Sequence, residues 1–299
     1  MKTTTEQMSA ALEATRASSR LLPVDISEWD VARATPMEVD FAPLYYDETQ
    51  KAVNSFRAIV NEAGDFIAPV SFRYSIIQHR ALLNQLTQHF VMLGMTPDSV
   101  EMHLSKNHAR MRLRVFFNDD TKFKREVAVG DVVQLGVEVV NRHDRSSSAN
   151  LKLVAKRLSC TNGMTVNDAL DTFTKWHVGE WEGEALDNWL LTTSDAFASF
   201  IDGQMSPLLE TPMNYEQFSD LLTAPDVEGD PKEVLHRGLK PRVAKRIIDR
   251  FPGYATEVGH NAWAGYNAFT HVASHETVSV EQSEKLEKMA NTFAKLVVA

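Results

Sequence analysis

The chain has 299 residues, with 31 Lys and Arg against 40 Asp and Glu for a formal charge of −9, 43 % hydrophobic residues and 24 % charged ones. These proportions are ordinary for a globular chain and exclude a disordered or fibrous one. No apolar run approaches the roughly 18 residues that span a bilayer, the first ten residues lack the apolar stretch of a secretory signal, and the single cysteine, Cys160, excludes an internal disulfide and a multi-cysteine metal cage. The expectation is a cytoplasmic protein with no membrane association, built as one large or two modest domains.

In chain order, residues 1–40 are polar and carry Pro23 and Pro36, which reads as an N-terminal arm. Residues 52–60 and 66–74 are β-prone runs joined through Gly64 and Asp65, a hairpin candidate because glycine supplies positive φ without steric cost. Residues 78–93 place Leu82, Leu83, Leu86, Phe90 and Leu93 on one helix face, and Gly94 follows as a stop. Residues 110–115 alternate Arg110, Arg112 and Arg114 with Met111, Leu113 and Val115, so a pleated strand puts the three arginines on one side. Residues 131–140 and 151–158 are two further strands joined by a long polar loop, and Lys152 and Lys156 share one side of the second. Three such strands predict an antiparallel sheet with one apolar face and one basic face open to solvent or ligand.

Beyond residue 166 the pattern turns helical. Helices are expected over residues 169–176, 185–201, 241–251, 261–272 and 281–297, with Asn214 and Gln217 spaced as a capping box opening a short helix to Leu222. Residues 225–231 form an acidic loop punctuated by Gly and Pro. The fold class is therefore α+β: a central antiparallel sheet with packed helices, then a mostly helical C-terminal region. The boundaries fall as an arm over 1–40, an α+β core over 41–165 and a helical region over 166–299.

Charge is unevenly spread. Residues 103–160 hold twelve Lys and Arg against six Asp and Glu, a segment of +6 within an acidic chain. A basic working surface on an acidic body follows, with Arg110, Arg112, Arg114, Lys152 and Lys156 as phosphate contacts and Tyr74, Phe116 and Phe117 as candidate stacking rings. A solvated sheet face is the bland account of the same residues. Catalytic signals are missing: the phosphate-binding loop, the dinucleotide fingerprint and the nucleophile elbow are all absent. His271 and His275 stand at i and i+4, a metal-compatible spacing, but Val272 occupies the position where a metalloprotease carries glutamate. They read as helix-end or core histidines, and Cys160 reads as a small buried side chain. No enzyme activity, cofactor or metal is expected.

Four segments resemble one family. Residues 66–79 (FIAPVSFRYSIIQH) are similar to its VS-x-x-Y-x-ivQN segment, and residues 130–146 (GDVVQLGVEVVNRHDRS) to its GD-x-v … N-x-hDGs segment. Residues 157–163 (RLSCTNG) resemble its R-x-v-C-x-N signature, and residues 263–270 (WAGYNAFT) its late W-x-x-x-Na-x-T helix. The family is the phage/plasmid-like proteins known as domain of unknown function 932, and the likeness spans about residues 40–275. Arg145 departs from the pattern, standing where the family carries glycine, so a loop built differently is expected there. The resemblance implies a protein encoded by a phage or plasmid and brings no catalytic residues. At the level of fold, the helix and antiparallel meander also resemble ring-forming single-strand annealing proteins, an analogy that does not by itself fix function.

The expected function is non-enzymatic binding of single-stranded DNA, with annealing in recombination as its purpose. The alternative is a structural or partner-binding assembly protein of a mobile element. A homo-oligomer larger than a dimer is expected, because a few basic side chains hold DNA weakly unless copies are arrayed. Its interface would come from the stripe Leu286, Met289, Phe293 and Leu296, or from residues 52–60 as a sheet edge.

Overall fold

The computed structural model describes residues 21–24, 36–45, 51–118, 123–128, 130–158, 163–165, 172–175, 177, 183–223, 235, 239–277 and 280–298. Cys160, Trp176 and the acidic loop over 225–231 lie outside the described residues, as do most of the N-terminal arm and residues 166–171. The described residues form two compact units. The first takes residues up to Asn118 together with Val137–Lys152 and Thr172–Leu191; the second takes those of Asp119–Gly136, Leu153–Asp171 and Thr192–Ala299. The architecture is α+β, with antiparallel sheets and a helical C-terminal part.

In the first unit, β2 (Val39–Tyr45), β3 (Ala52–Asn61) and β4 (Phe66–Ser71) form a three-stranded antiparallel sheet in that order. The hairpin between β3 and β4 turns at Gly64, φ +82°, as the Gly-Asp pair predicts. Val39, Ile59 and Val70 of the three strands make a small core. β3 is the middle strand, so residues 52–60 do not supply the sheet edge expected of them.

α1 (His79–Met92) buries the predicted Leu82, Leu83, Leu86 and Phe90. Gly94, φ +65°, ends that segment.

The other sheet runs β1 (Leu21–Val24), β5 (Pro97–Ser105), β6 (Arg110–Phe117), β8 (Asp131–Arg142) and β9 (Ala149–Arg157). β7 (Lys124–Ala128) pairs with the start of β8, and β10 (Gly163–Thr165) with the end of β9. β11 (Thr172–Lys175) also pairs with β9, where a helix over 169–176 was expected. Alternating Thr172, Phe173 and Thr174 suit a pleated surface, and the Thr174 hydroxyl donates to Asn150 Oδ1 across the pair at 2.8 Å.

The face of this sheet expected to be open is buried. From Met111 to Phe117 every residue of β6 is buried, and Arg112 and Arg114 are only 4 % and 7 % exposed. Phe116 and Phe117 are buried as well, so neither presents a stacking ring. The basic face is not open; it is closed over its own counter-ion.

In the second unit, α2 (Gly183–Leu191) of the first is followed by α3 (Thr193–Phe200), a π-helical turn over Ile201–Met205 and α4 (Ser206–Glu210). α5 (Tyr215–Thr223) opens with the predicted capping box: Gln217 N–H donates to Asn214 Oδ1, and Asn214 N–H donates to Gln217 Oε1, both at 2.9 Å.

α6 (Pro241–Val258) continues past Pro252, two turns longer than its sequence pattern indicates. The missing N–H and the ring clash cost about 3 kcal/mol. The buried stripe Ile247, Ile248, Phe251 and Tyr254 runs through the proline and outweighs it, at roughly 1.5–3 kcal/mol for each large side chain.

α7 (Ala262–His275) is capped by Asn261, whose Oδ1 accepts from Ala264 N–H at 3.1 Å. It packs on α6 and on α8 (Val280–Val298) around Phe218, Phe251, Phe269 and Phe293. Leu286, Met289 and Phe293 are buried in this packing, so the C-terminal stripe serves its own unit.

Candidate functional site

Of the five predicted phosphate contacts, Arg112, Arg114 and Lys152 converge on one buried carboxylate and Arg110 pairs with a second carboxylate. The pleat places Arg112 and Arg114 on one side of β6, as the alternation requires, and the same side of β8 presents Glu138. Its Oε2 accepts from Arg112 Nε at 2.7 Å and Nη2 at 2.6 Å and from Arg114 Nε at 2.7 Å, while Lys152 Nζ of β9 lies 2.8 Å from Oε1. Glu138 is fully buried. Burial by itself would raise its pKa, but Arg112, Lys152 and Arg114 outweigh that and hold the carboxyl well below its usual range. Arg110 pairs instead with Asp144, and Lys156 is half-buried on β9. The missed partner had a signal in the sequence: Glu138 is a lone carboxylate in the apolar run 132–140, and a charge there needs a counter-ion.

A second polar cluster in the first unit joins residues far apart in the chain: Tyr74, His79, Asn141, His143 and His177. His79 stacks on His143 with ring centroids 4.1 Å apart, His177 meets His143 edge-on at 6.4 Å, and Tyr74 stacks on His177 at 4.8 Å. Each imidazole donates one N–H to a backbone carbonyl: His79 Nε2 to His108 at 2.9 Å, His143 Nε2 to Ile77 at 2.9 Å and His177 Nδ1 to Ser75 at 3.2 Å. Since a carbonyl can only accept, those contacts fix the tautomers. Burial keeps all three rings neutral, pushing His143 down to about 4, His79 well below the usual histidine value and His177 also below it. Asn141 Nδ2 donates to His79 Nδ1 at 2.9 Å and to the Ile77 carbonyl at 2.7 Å. Of these residues only Tyr74 was singled out from the sequence, as a stacking ring, although all but His177 fall in segments that carry the family resemblance.

One of those same segments, residues 130–146, also supplies Asp144 and Arg145 of the β8–β9 loop. Arg145 adopts φ +65°, the left-handed conformation that glycine favours. Asp144 Oδ1 accepts from Ser146 N–H, and Arg145 Nη1 donates to the Pro69 carbonyl at 3.0 Å.

The second unit gathers the remaining resemblance segments. Asp131, at the start of β8, is buried and accepts from Arg157 Nε through Oδ1 and from Trp263 Nε1 through Oδ2 at 2.9 Å. Arg157 also donates from Nη1 to Glu257 at 3.1 Å. This ties β8, β9, α6 and α7 by polar contacts.

His271 is held by the Tyr254 hydroxyl, 2.8 Å from Nδ1, and its ring lies 4.9 Å from that of His275. Among the described residues, no group of three His, Cys, Asp or Glu is arranged to hold a metal ion.

Uncompensated positive charge lies elsewhere in this unit. Lys240, Arg242 and Arg246 at the start of α6 and Lys285 of α8 line a cavity of 730 Å³, with Val243 and Leu286 among its apolar lining. Arg246 is shared with Glu276, whose carboxylate is 3.7 Å away. Among the described residues no ion pair joins Lys240, Arg242 or Lys285 to an acidic side chain. The first turn of α6 contains no acidic residue and has no side-chain cap, so the positive end of the helix dipole adds to the potential there.

No helix among the described residues is long and apolar enough to cross a membrane. No curated protein and no solved structure matches the chain. A family model described as a domain of unknown function, DUF932, matches residues 67–293 and so takes in both polar clusters and the cationic cavity. The chain belongs to the DUF932 family.

Proposed function

We propose that this is a non-enzymatic, phage- or plasmid-type protein that binds single-stranded DNA, annealing it in recombination, and that its phosphate contacts lie in the cationic cavity of the helical unit. The carrying observation is that Lys240, Arg242 and Lys285 line one cavity without acidic partners among the described residues, whereas Arg112 and Arg114 are committed to Glu138. Phosphate affinity requires cations that can exchange condensed counter-ions, and a buried ion pair cannot do so.

The test is anisotropy of a labelled oligothymidylate. Four phosphate contacts on a single strand give a log–log salt slope of about −2.8, or roughly a 50-fold loss of affinity between about 50 and about 200 mM salt. Reversing the three free cations together (K240E, R242E, K285E) abolishes binding while the protein stays folded. Absence of binding at low salt, or binding indifferent to that triple change, overturns the proposal.

A structural or partner-binding role is the second reading, favoured by the three-stranded sheet, where Tyr45, Phe56, Phe66 and Phe72 are each about half exposed or more. Exposed apolar area of this kind is available to a partner. A homo-oligomer larger than a dimer fits either reading, since arrayed copies multiply weak contacts. Sedimentation with and without oligonucleotide measures it. Phe56→Asp with Phe66→Asp dissociates the assembly if the sheet supplies the contact.

A further inference from the structure

The histidine cluster of the first unit has a property that packing does not account for. Among the described residues, four of its buried polar atoms make no hydrogen bond: His143 Nδ1, His177 Nε2, Asn141 Oδ1 and the Tyr74 hydroxyl. Each buried polar atom left unpaired costs about 1–3 kcal/mol, and four such atoms on adjoining side chains make a concentrated expense. The tautomers fixed by the Ile77 and Ser75 carbonyls leave both imidazole nitrogens with free lone pairs. The Asn141 oxygen is likewise an acceptor, because its amide nitrogen is already engaged by Ile77 and His79. The cluster therefore offers three electron-pair donors and one hydroxyl, and no charged donor to satisfy them.

We infer that this cluster is a binding site for a divalent transition-metal ion, with His143 Nδ1 and His177 Nε2 as its nitrogen ligands and Asn141 Oδ1 and the Tyr74 oxygen completing the shell. Imidazole is a preferred ligand for such ions. A ligating histidine characteristically donates its other N–H to a carbonyl or carboxylate, which fixes the ring and its tautomer. Both rings already have that anchor.

The spacing fits as well. With nitrogen about 2.1 Å from the metal, two imidazoles on one ion place their centroids about 5–6 Å apart. The observed 6.4 Å and the steep 77° between the rings leave less than about 1.5 Å of closure for side chains to make. Among the described residues no three His, Cys, Asp or Glu are arranged to hold a metal ion, so the remaining donors proposed are an amide and a phenol. Softer metals that demand thiolate are excluded by that donor set. The site is independent of the cationic cavity, and neither proposal needs the other.

The test uses the full chain, stripped with a chelator and dialysed, then titrated with Zn²⁺ or Co²⁺ alone by calorimetry. One equivalent binds, and the cobalt form shows the ligand-field bands of a site with mixed nitrogen and oxygen donors. His143→Gln and His177→Gln each weaken binding at least about 10-fold, since loss of even an outer-shell partner of a ligand costs about that much. His271→Gln, on α7, leaves it unchanged. Circular dichroism of each variant separates loss of the site from loss of the fold. For wild-type protein, which needs no substitution to be informative, a thermal midpoint that rises with metal concentration supports the site. No stoichiometric binding to the wild type, or binding that is lost in His271→Gln and kept in His177→Gln, overturns the inference.

Discussion

Replacing Glu138 with glutamine isolates the charge on which β6, β8 and β9 converge. The side chain keeps its size, so the change removes one negative charge and leaves Arg112, Arg114 and Lys152 facing one another, two of them less than a tenth exposed. Breaking a buried ion pair by removing one partner costs about 3–5 kcal/mol, because the remaining charge stays desolvated. That is a large share of a total stability of roughly 5–15 kcal/mol. Urea unfolding followed by far-ultraviolet circular dichroism at neutral pH shows a clear fall in midpoint with little change in slope. The pH dependence gives the second readout. Glu138 has a folded pKa well below its unfolded one, so its contribution is complete above the unfolded value and is lost as pH falls through the folded one. Wild-type protein loses stability across that acid range, and the glutamine variant loses less. A cost below about 1 kcal/mol would refute the account. So would a variant of normal stability that binds oligonucleotide differently, because it would mean that the arginines face a ligand after all.

Two other substitutions test packing and backbone. Arg145→Gly relieves a left-handed conformation that costs a side-chain-bearing residue about 1–2 kcal/mol, less the extra entropy of glycine; a net gain of roughly 0.5–1 kcal/mol is expected in urea, and a loss would refute it. Gly265→Ala places a Cβ 2.8 Å from both Phe218 and Phe293, in a cluster of stacked rings with little room to move. Overpacking at about 1–3 kcal/mol outweighs the better helix propensity of alanine, so calorimetry should show a lower melting temperature, and an unchanged one would refute the close approach.

The sequence by itself determined the local elements whose causes are local. The stripe Leu82, Leu83, Leu86 and Phe90 makes α1, Gly64 turns the β3–β4 hairpin, and the reciprocal bonds of Asn214 and Gln217 open α5. Each depends on residues within a few positions of one another. Strand alternation likewise put Arg112 and Arg114 on one side of β6. What lies opposite that side is a property of strand pairing: Glu138 is 24 and 26 residues away, and only β8 beside β6 turns a prospective ligand surface into a closed ion cluster. Tertiary packing also carries α6 through Pro252, because a buried apolar stripe outweighs a local penalty. The histidine cluster was illegible for the same reason. Its rings come from before α1, from α1, from the end of β8 and from beyond β11, and no short-range pattern records that residues 74, 79, 143 and 177 touch. Spacing along the chain encodes which face a side chain takes, while its partner across space is set only when the strands are assembled.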